Sequence, residues 1–232
     1  MREEVTSRYQ RRENFAFYWF APDPLFLDLV GEAKYKVEFE GMWTLKNHPL
    51  GYPGDGPSGG AAHFSPLTGA TFPYGSEFFK AGGMASGGIE AIAESGNPTM
   101  LIDALGEDTM TYMSVTRADG GAYNPWRMMI EVTADEMHDH LGLATMIAPS
   151  PDWFTGASMI DLCDYETGEW KKEVTHMAMA YDAGTEMGTG FSGDNEAEDP
   201  HMPISMIMCD GMAFCEAGED IKPVAKITIT KM

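Results

Sequence analysis

Positive charge is scarce in this sequence. Fifteen Lys and Arg residues stand against 36 Asp and Glu, and the formal net charge is -21. A chain this acidic repels phosphate backbones and anionic lipid headgroups at neutral pH, so nucleic acid is not an expected partner. An acidic surface can serve solubility alone, but carboxylates that converge in space can also bind a hard cation such as calcium.

Long apolar segments are missing as well. The run Phe15 to Ala21 is far too short to span a bilayer, and it follows the charged segment Arg8 to Glu13, which is unlike a signal peptide. We therefore predict no transmembrane segment. The amino-terminal sequence does not decide the topology of the protein relative to the membrane.

The common signatures of catalysis are absent too. The loop Gly51 to Gly60 holds five glycines and two prolines but lacks the Gly-Lys-Ser/Thr ending of a phosphate-binding loop. No Gly-x-Ser-x-Gly elbow occurs, and Ser150, between two prolines, is typical of a turn. An enzyme is not expected. The enzymatic alternative is a metal-dependent hydrolase, which would need an open metal site with a general base.

Cysteine is rare, with three in the chain. Cys209 and Cys215 bracket an Asp210-Gly211 turn, so we predict that they close a small disulfide loop. Cys163 is left over, and the sequence allows it to pair with either of the others, to pair with another chain, or to remain a buried thiol.

What the sequence does contain is a series of strand patterns. Residues 1–31 mix charge, aromatics and prolines without a period and are predicted to form an amino-terminal arm that packs on the domain or a neighbour. Residues 32–232 are predicted to form one domain. Strict alternation makes Ala33 to Gly41 a half-buried strand. Six further strands are predicted at Trp126–Val132, Leu143–Ala148, Ser158–Cys163, Val174–Tyr181, Ile204–Cys209 and Val224–Thr230.

Two short helices interrupt these strands. Ser86 is a predicted N-cap for a helix to about Ser95, with Gly96 as its stop. Asn97 is predicted to cap a second helix, with Pro98 at its first position and Gly106 after its end. Seven strands with decorated loops favour an all-β fold, an antiparallel sandwich with short helices inserted in its loops.

Several motifs, taken in order, resemble the spondin N-terminal domain family, the domain of F-spondin and mindin. They are Tyr35 to Trp43, Ala62-His63-Phe64-Ser65-Pro66, Ala85-Ser86-Gly87-Gly88, Ala93-Glu94-Ser95-Gly96, Ala148 to Gly156, Asp161 to Asp164, and Tyr181 to Thr185. The resemblance spans roughly Lys34 to Lys231. It implies a C2-like antiparallel β-sandwich that is secreted and works in adhesion, matrix organisation or recognition of protein or glycan surface ligands.

The resemblance also implies a calcium ion, which some relatives hold with acidic residues of loops at one end. Asp152 and Asp182 match the family's metal positions, and we expect Glu131 as the third ligand, with Asp135 or Glu136 as alternatives. The chain departs from the vertebrate pattern because an amino-terminal cysteine that would partner Cys163 is missing. The linked thrombospondin-type repeats are absent from this sequence as well.

Other acidic and histidine groups compete with this assignment. Asp161 and Asp164 are backup ligands, and the acidic run Asp194 to Asp199 lacks the spacing of an EF-hand loop. A zinc site would draw on His138, His140 and His176. At the level of function, the alternative to an adhesion module is a structural subunit that self-assembles through the amino-terminal arm.

Overall fold

The computed structural model describes residues 31–56, 61–123, 126–192 and 195–232. Two helices, α1 (Gly87–Ser95) and α2 (Thr99–Glu107), stand among thirteen strands in these residues. The strands are β1 Ala33–Gly41, β2 His63–Phe64, β3 Thr68–Phe72, β4 Met113–Arg117, β5 Arg127–Ala134, β6 His140–Ala148, β7 Trp153–Asp161, β8 Cys163–Asp164, β9 Glu169–Trp170, β10 Glu173–Ala178, β11 Ala180–Asp182, β12 Ser205–Met206 and β13 Ala225–Lys231.

The strands form two main antiparallel sheets, which confirms the predicted sandwich. One sheet has four strands in the order β10-β13-β1-β5. The other has seven, in the order β12-β11-β7-β6-β3-β4 with β2 beside β6, and β8 and β9 form a separate small hairpin. All pairs are antiparallel, as the registers show.

The core between the sheets follows from the alternation of the strands. In β1, Tyr35, Val37 and Phe39 are buried while the residues between them face solvent. Val37 lies opposite Ile130 of β5 and Ile229 of β13, so three apolar side chains meet in one row across the sheet. Burial of these rows from water holds the four-stranded sheet onto the other one.

The helices cover the outer face of the seven-stranded sheet. Ile89 and Ile92 of α1 and Leu101 of α2 pack in a second apolar cluster with Phe72 and Phe154. Ser86 caps α1 by accepting a hydrogen bond from the Ile89 N–H, and Gly96 ends the helix in a left-handed conformation, both as predicted. The second helix begins at Thr99, one residue after the predicted start at Pro98, and continues through Gly106 to Glu107, two residues beyond its predicted end.

Several predicted strand boundaries are corrected. The predicted Val174–Tyr181 strand is two strands, because the chain leaves the four-stranded sheet after Ala178 and enters the seven-stranded sheet at Ala180. Strand β7 begins at Trp153, earlier than predicted, and Ile204–Cys209 is strand only at Ser205–Met206. Strands β2, β3 and β4 were not expected. The predicted arm, residues 1–31, lies outside the described residues except for Gly31.

No helix in the described part of the chain is long and apolar enough to cross a membrane.

Candidate metal site at one end of the sandwich

Asp152 is a buried carboxylate at the turn between β6 and β7. It has 0% exposure. Its Oδ2 atom accepts hydrogen bonds from the Thr185 N–H at 2.6 Å, the Thr185 hydroxyl at 3.3 Å and the Glu186 N–H at 3.1 Å. Its Oδ1 atom is equally buried and has no hydrogen-bond partner in the described residues. A buried carboxylate oxygen without a partner is costly, so this atom would gain most from a cation.

Asp182, at the end of β11, lies beside it. The register pairs Asp182 with Trp153, the residue after Asp152, and the Trp153 indole N–H donates to Asp182 Oδ2 at 3.2 Å. The Gly184 N–H donates to Oδ1 at 2.8 Å. Burial, and next the charge of Asp152, raise the pKa of Asp182 to about 6, and Glu198 adds to the rise. The two carboxylates therefore repel each other in the absence of a positive charge.

The local sequence explains how these groups are held. The Ser150 hydroxyl donates to the Ile147 carbonyl and accepts from the Trp153 N–H, which confirms Ser150 as a turn residue. Gly184 has φ +74, and a Cβ there would lie 2.2 Å from the Met202 carbonyl oxygen, so only glycine fits. This tight turn directs Thr185 and Glu186 back onto Asp152.

That loop brings further acidic residues to the site. The Glu198 N–H donates to the Thr185 carbonyl at 2.8 Å, and the Met187 N–H donates to the Glu196 carbonyl at 2.8 Å. Glu186 is held by its backbone to Asp152, and Glu198 acts electrostatically on Asp182. The part of the acidic run that the structure describes therefore borders the predicted metal ligands. Asp194 lies outside the described residues.

Glu131, the expected third ligand, is elsewhere. It lies on β5 opposite Lys36, exposed on the outer face of the four-stranded sheet. The cause is the period of the strand, because Ile130 and Val132 point into the core and force the residue between them outward. Of the alternatives, Asp135 accepts hydrogen bonds from the Met137 and His138 N–H groups in a turn, and Glu136 is exposed.

The structure thus brings together two of the three expected ligands, Asp152 and Asp182. Over the described ranges, no group of three or more His, Cys, Asp or Glu side chains is positioned to hold a metal ion as it stands.

The predicted zinc histidines are not brought together. His138 pairs with Asp135 at 2.8 Å, and His176 belongs to β10 in the four-stranded sheet, where burial lowers its pKa. His140 is completely buried in the other sheet. The backup ligand Asp164 caps a turn through the N–H groups of Glu166 and Thr167.

His140 is instead the centre of a network that the sequence analysis missed. Its Nδ1 atom lies 2.6 Å from Asp139 Oδ1, and its Nε2 atom lies 3.0 Å from Asp161 Oδ1. The Tyr165 hydroxyl donates to Asp139 Oδ2 at 3.0 Å and lies 3.1 Å from His140 Nε2. The network joins the start of β6 to the end of β7, at the end of the sandwich opposite Asp152.

The Cys209–Cys215 disulfide is formed, as predicted, and Cys163 is a free buried thiol. Burial raises the pKa of Cys163 to about 11, which keeps it protonated and unreactive.

Replacing both Cys209 and Cys215 with Ser should lower the free energy of unfolding by about 2 to 3 kcal/mol, because the small loop is no longer closed in the unfolded chain. Chemical unfolding of oxidised protein against the double variant measures this difference. Mass mapping of unreduced, secreted protein provides the control, and free thiols at both positions there would contradict the prediction.

Comparison with known proteins agrees with this architecture. The Spondin_N family model matches residues 33–213. Spondin-1 of Homo sapiens is 29% identical over 212 residues, which cover 87% of this chain and 26% of the relative. Spondin-2 of Rattus norvegicus is 28% identical over 209 residues, 86% of this chain and 62% of the relative. The chain thus spans about a quarter of the length of spondin-1. It belongs to the spondin N-terminal domain family, whose spondin members are secreted proteins of the extracellular matrix.

Proposed function

We propose that this chain is a non-enzymatic extracellular adhesion or matrix module that recognises a protein or glycan ligand with one end of its sandwich. In this proposal a calcium ion bound by Asp152 and Asp182 organises that end. The observation that carries the proposal is the Oδ1 atom of Asp152, which is buried and without a hydrogen-bond partner among the described residues.

The residues present fit a calcium ion by their chemistry. Calcium takes six to eight oxygen ligands from carboxylates, backbone carbonyls and water. Asp152 offers one free carboxylate oxygen, and Asp182 lies beside it with a raised pKa. Glu186 and Glu198 on the adjacent loop are the acids best placed to complete the charge of the site. Bound calcium would cancel the repulsion between the carboxylates and so hold Thr185 and Glu186 against the turn of Asp152.

A catalytic role gains no support from the side chains. Both hydrogen bonds of the Ser150 hydroxyl are made with backbone groups of its own turn. His140, the buried histidine with carboxylate partners, has both ring nitrogens within hydrogen-bond distance of carboxylate oxygens and has 0% exposure. Neither residue can reach a substrate as a nucleophile or a general base.

The pH dependence of the site follows from Asp182. Its pKa is raised from 3.8 to about 6, so without calcium the folded protein takes up a proton more readily than the unfolded chain. Stability from this group is fully present below about pH 4 and is lost as the pH rises through about 6. Calcium competes with that proton, so its affinity should fall about tenfold per pH unit below about pH 6.

Melting curves between about pH 4.5 and 7.5, with and without calcium, test this prediction. Asp182→Asn should remove both trends, whereas the exposed-site variant Glu131→Gln should keep them. A calcium affinity that stays constant across this range in the unmodified protein would contradict it.

The adhesion proposal is tested by plating cells on immobilised protein. We expect attachment that requires calcium, is lost with Asp152→Asn and is kept with Glu131→Gln. Attachment that is unchanged both by removal of calcium and by Asp152→Asn would contradict the proposal, because the ligand would then bind elsewhere on the domain.

A further inference from the structure

The strand at one edge of the seven-stranded sheet is flanked in sequence by exposed methionines. Four methionines, with side chains between 42% and 66% exposed, lie within eleven residues on and beside β12, and we name them the methionine edge: Met202, Met206, Met208 and Met212. Within the described ranges, strand β12 pairs on one side only, with β11. Ile207 and Cys209 turn inward to the core, so Met206 and Met208 project outward together. An unpaired apolar strand edge is a typical site for strand addition by a partner.

The charge around this edge restricts the partner. No Lys or Arg occurs between Lys172 and Lys222, a segment that contains eleven acidic residues and the whole methionine edge. Asp210, at the turn of the disulfide loop, and Glu216, after it, are both exposed. A partner for this surface should therefore combine basic with apolar side chains in an extended segment.

This chain contains such a segment. Arg8, Arg11 and Arg12 are followed directly by the aromatic run Phe15 to Phe20. Residues 1–30 hold four of the fifteen basic residues, and these residues lie outside the described structure. The rest of the chain has 31 acidic residues against 11 basic ones (36 minus 5, and 15 minus 4), so the segment Arg8 to Phe20 is complementary to it in charge.

The positions of the two ends of the sandwich favour a second copy as the source of the segment. The start of β1 is level with the end of β7, because the Tyr35 hydroxyl donates to the Leu162 carbonyl. Strand β12 is level with the start of β7, because Ser205 pairs with Asp182 and Asp182 pairs with Trp153. The length of β7, roughly 26 Å at about 3.3 Å per residue, separates the two levels.

A segment of the same chain would need more than half of its full reach to arrive at the level of the methionine edge. Residues 21–32 span at most about 40 Å when fully extended, and they must also pass from one sheet to the far edge of the other. A neighbouring molecule meets no such constraint.

We propose that the methionine edge of one molecule binds the segment Arg8 to Phe20 of a second copy. Because the segment leaves one end of the sandwich and the edge lies at the other, the contact is head-to-tail and builds a closed ring or an open chain. This inference rests on the strand edge and not on the proposed calcium ion, although β12 borders Asp182. The experiment is therefore run in constant calcium.

Two full-length variants test the proposal by complementation. Phe17→Glu/Trp19→Glu removes the apolar segment, and Met206→Glu/Met208→Glu removes the edge. In light scattering after size-exclusion chromatography, the unmodified chain should assemble beyond a monomer as its concentration rises. Each variant alone should remain monomeric, and a 1:1 mixture should give a dimer of one copy of each, because one intact segment then meets one intact edge.

The matched control is Met110→Glu, which alters a methionine that is 74% exposed and remote in sequence from the edge. It should assemble like the unmodified chain, and melting curves of all variants should agree, which shows that they are folded. A monomer at all concentrations, assembly that survives Met206→Glu/Met208→Glu, or a mixture that gives no dimer would each overturn the proposal.

Discussion

Replacing His140 with leucine is expected to lower the free energy of unfolding by about 1 to 3 kcal/mol, the range for leaving a buried polar group without its hydrogen-bond partner. The imidazole lies between Asp139 and Asp161, at 2.6 and 3.0 Å, and is fully buried. Leucine fills a similar volume but leaves the Asp139 carboxylate, 8% exposed, without its histidine partner. Urea unfolding measures the difference, and an unchanged slope with denaturant would show that the loss is one of stability alone.

A matched histidine makes the test specific. His138 also pairs with an aspartate, Asp135, but at a more exposed turn, so His138→Leu should cost about 1 kcal/mol. Adding Asp139→Asn to His140→Leu should recover part of the loss, since an amide costs less than a carboxyl group to bury without the histidine. Equal losses for His138→Leu and His140→Leu would contradict a structural role for the buried network.

The strands with one face in the core were the elements best predicted from the sequence. Ala33–Gly41 and Val224–Thr230 alternate strictly, and the structure places their apolar residues inward in both cases. Strand β6 is buried on nearly every residue because the other sheet covers one face and the helices cover the other. With both faces apolar the period of two disappears, so the boundaries of β6 and β7 could not be read from the pattern.

The proximity of Asp152 and Asp182 was also predictable from local sequence patterns. Asp152 and Asp182 follow strands at recognisable turns, Pro149 to Pro151 and Ala183-Gly184, and they match a family motif. The structure does not bring Glu131 to these two residues, because the direction of its side chain depends on which face of β5 meets the core. The partners of His140 depend on the β6–β7 register, which shifts between Leu141 and Leu143. The adjacent Asp139-His140 pair was the one local signal of that network, and it does not reveal Asp161.

The second large effect concerns calcium. If calcium binds only the folded protein, it should stabilise the fold by about 2.7 kcal/mol at a hundredfold excess over its dissociation constant. The cation would neutralise Asp152 and Asp182 at the point where burial and mutual repulsion raise the pKa of Asp182. Magnesium should stabilise less, because it demands octahedral geometry at shorter distances and retains its water.

Asp152→Asn should abolish most of this response while the sandwich stays folded. The Asn side chain can keep an acceptor for the Thr185 and Glu186 N–H groups but loses the charge that a cation needs. Glu131→Gln is the control, since it alters a carboxylate of the same chain on the outer face of the other sheet. Separate Glu186→Gln and Glu198→Gln variants should show which loop acid completes the site.

Isothermal titration calorimetry of calcium into protein stripped with chelator tests the proposed site most directly. We expect one ion per chain for the unmodified protein and for Glu131→Gln, and no measurable binding for Asp152→Asn. Absence of binding to the unmodified protein at millimolar calcium, or equal binding to Asp152→Asn, would contradict the assignment of this end of the sandwich as a calcium site.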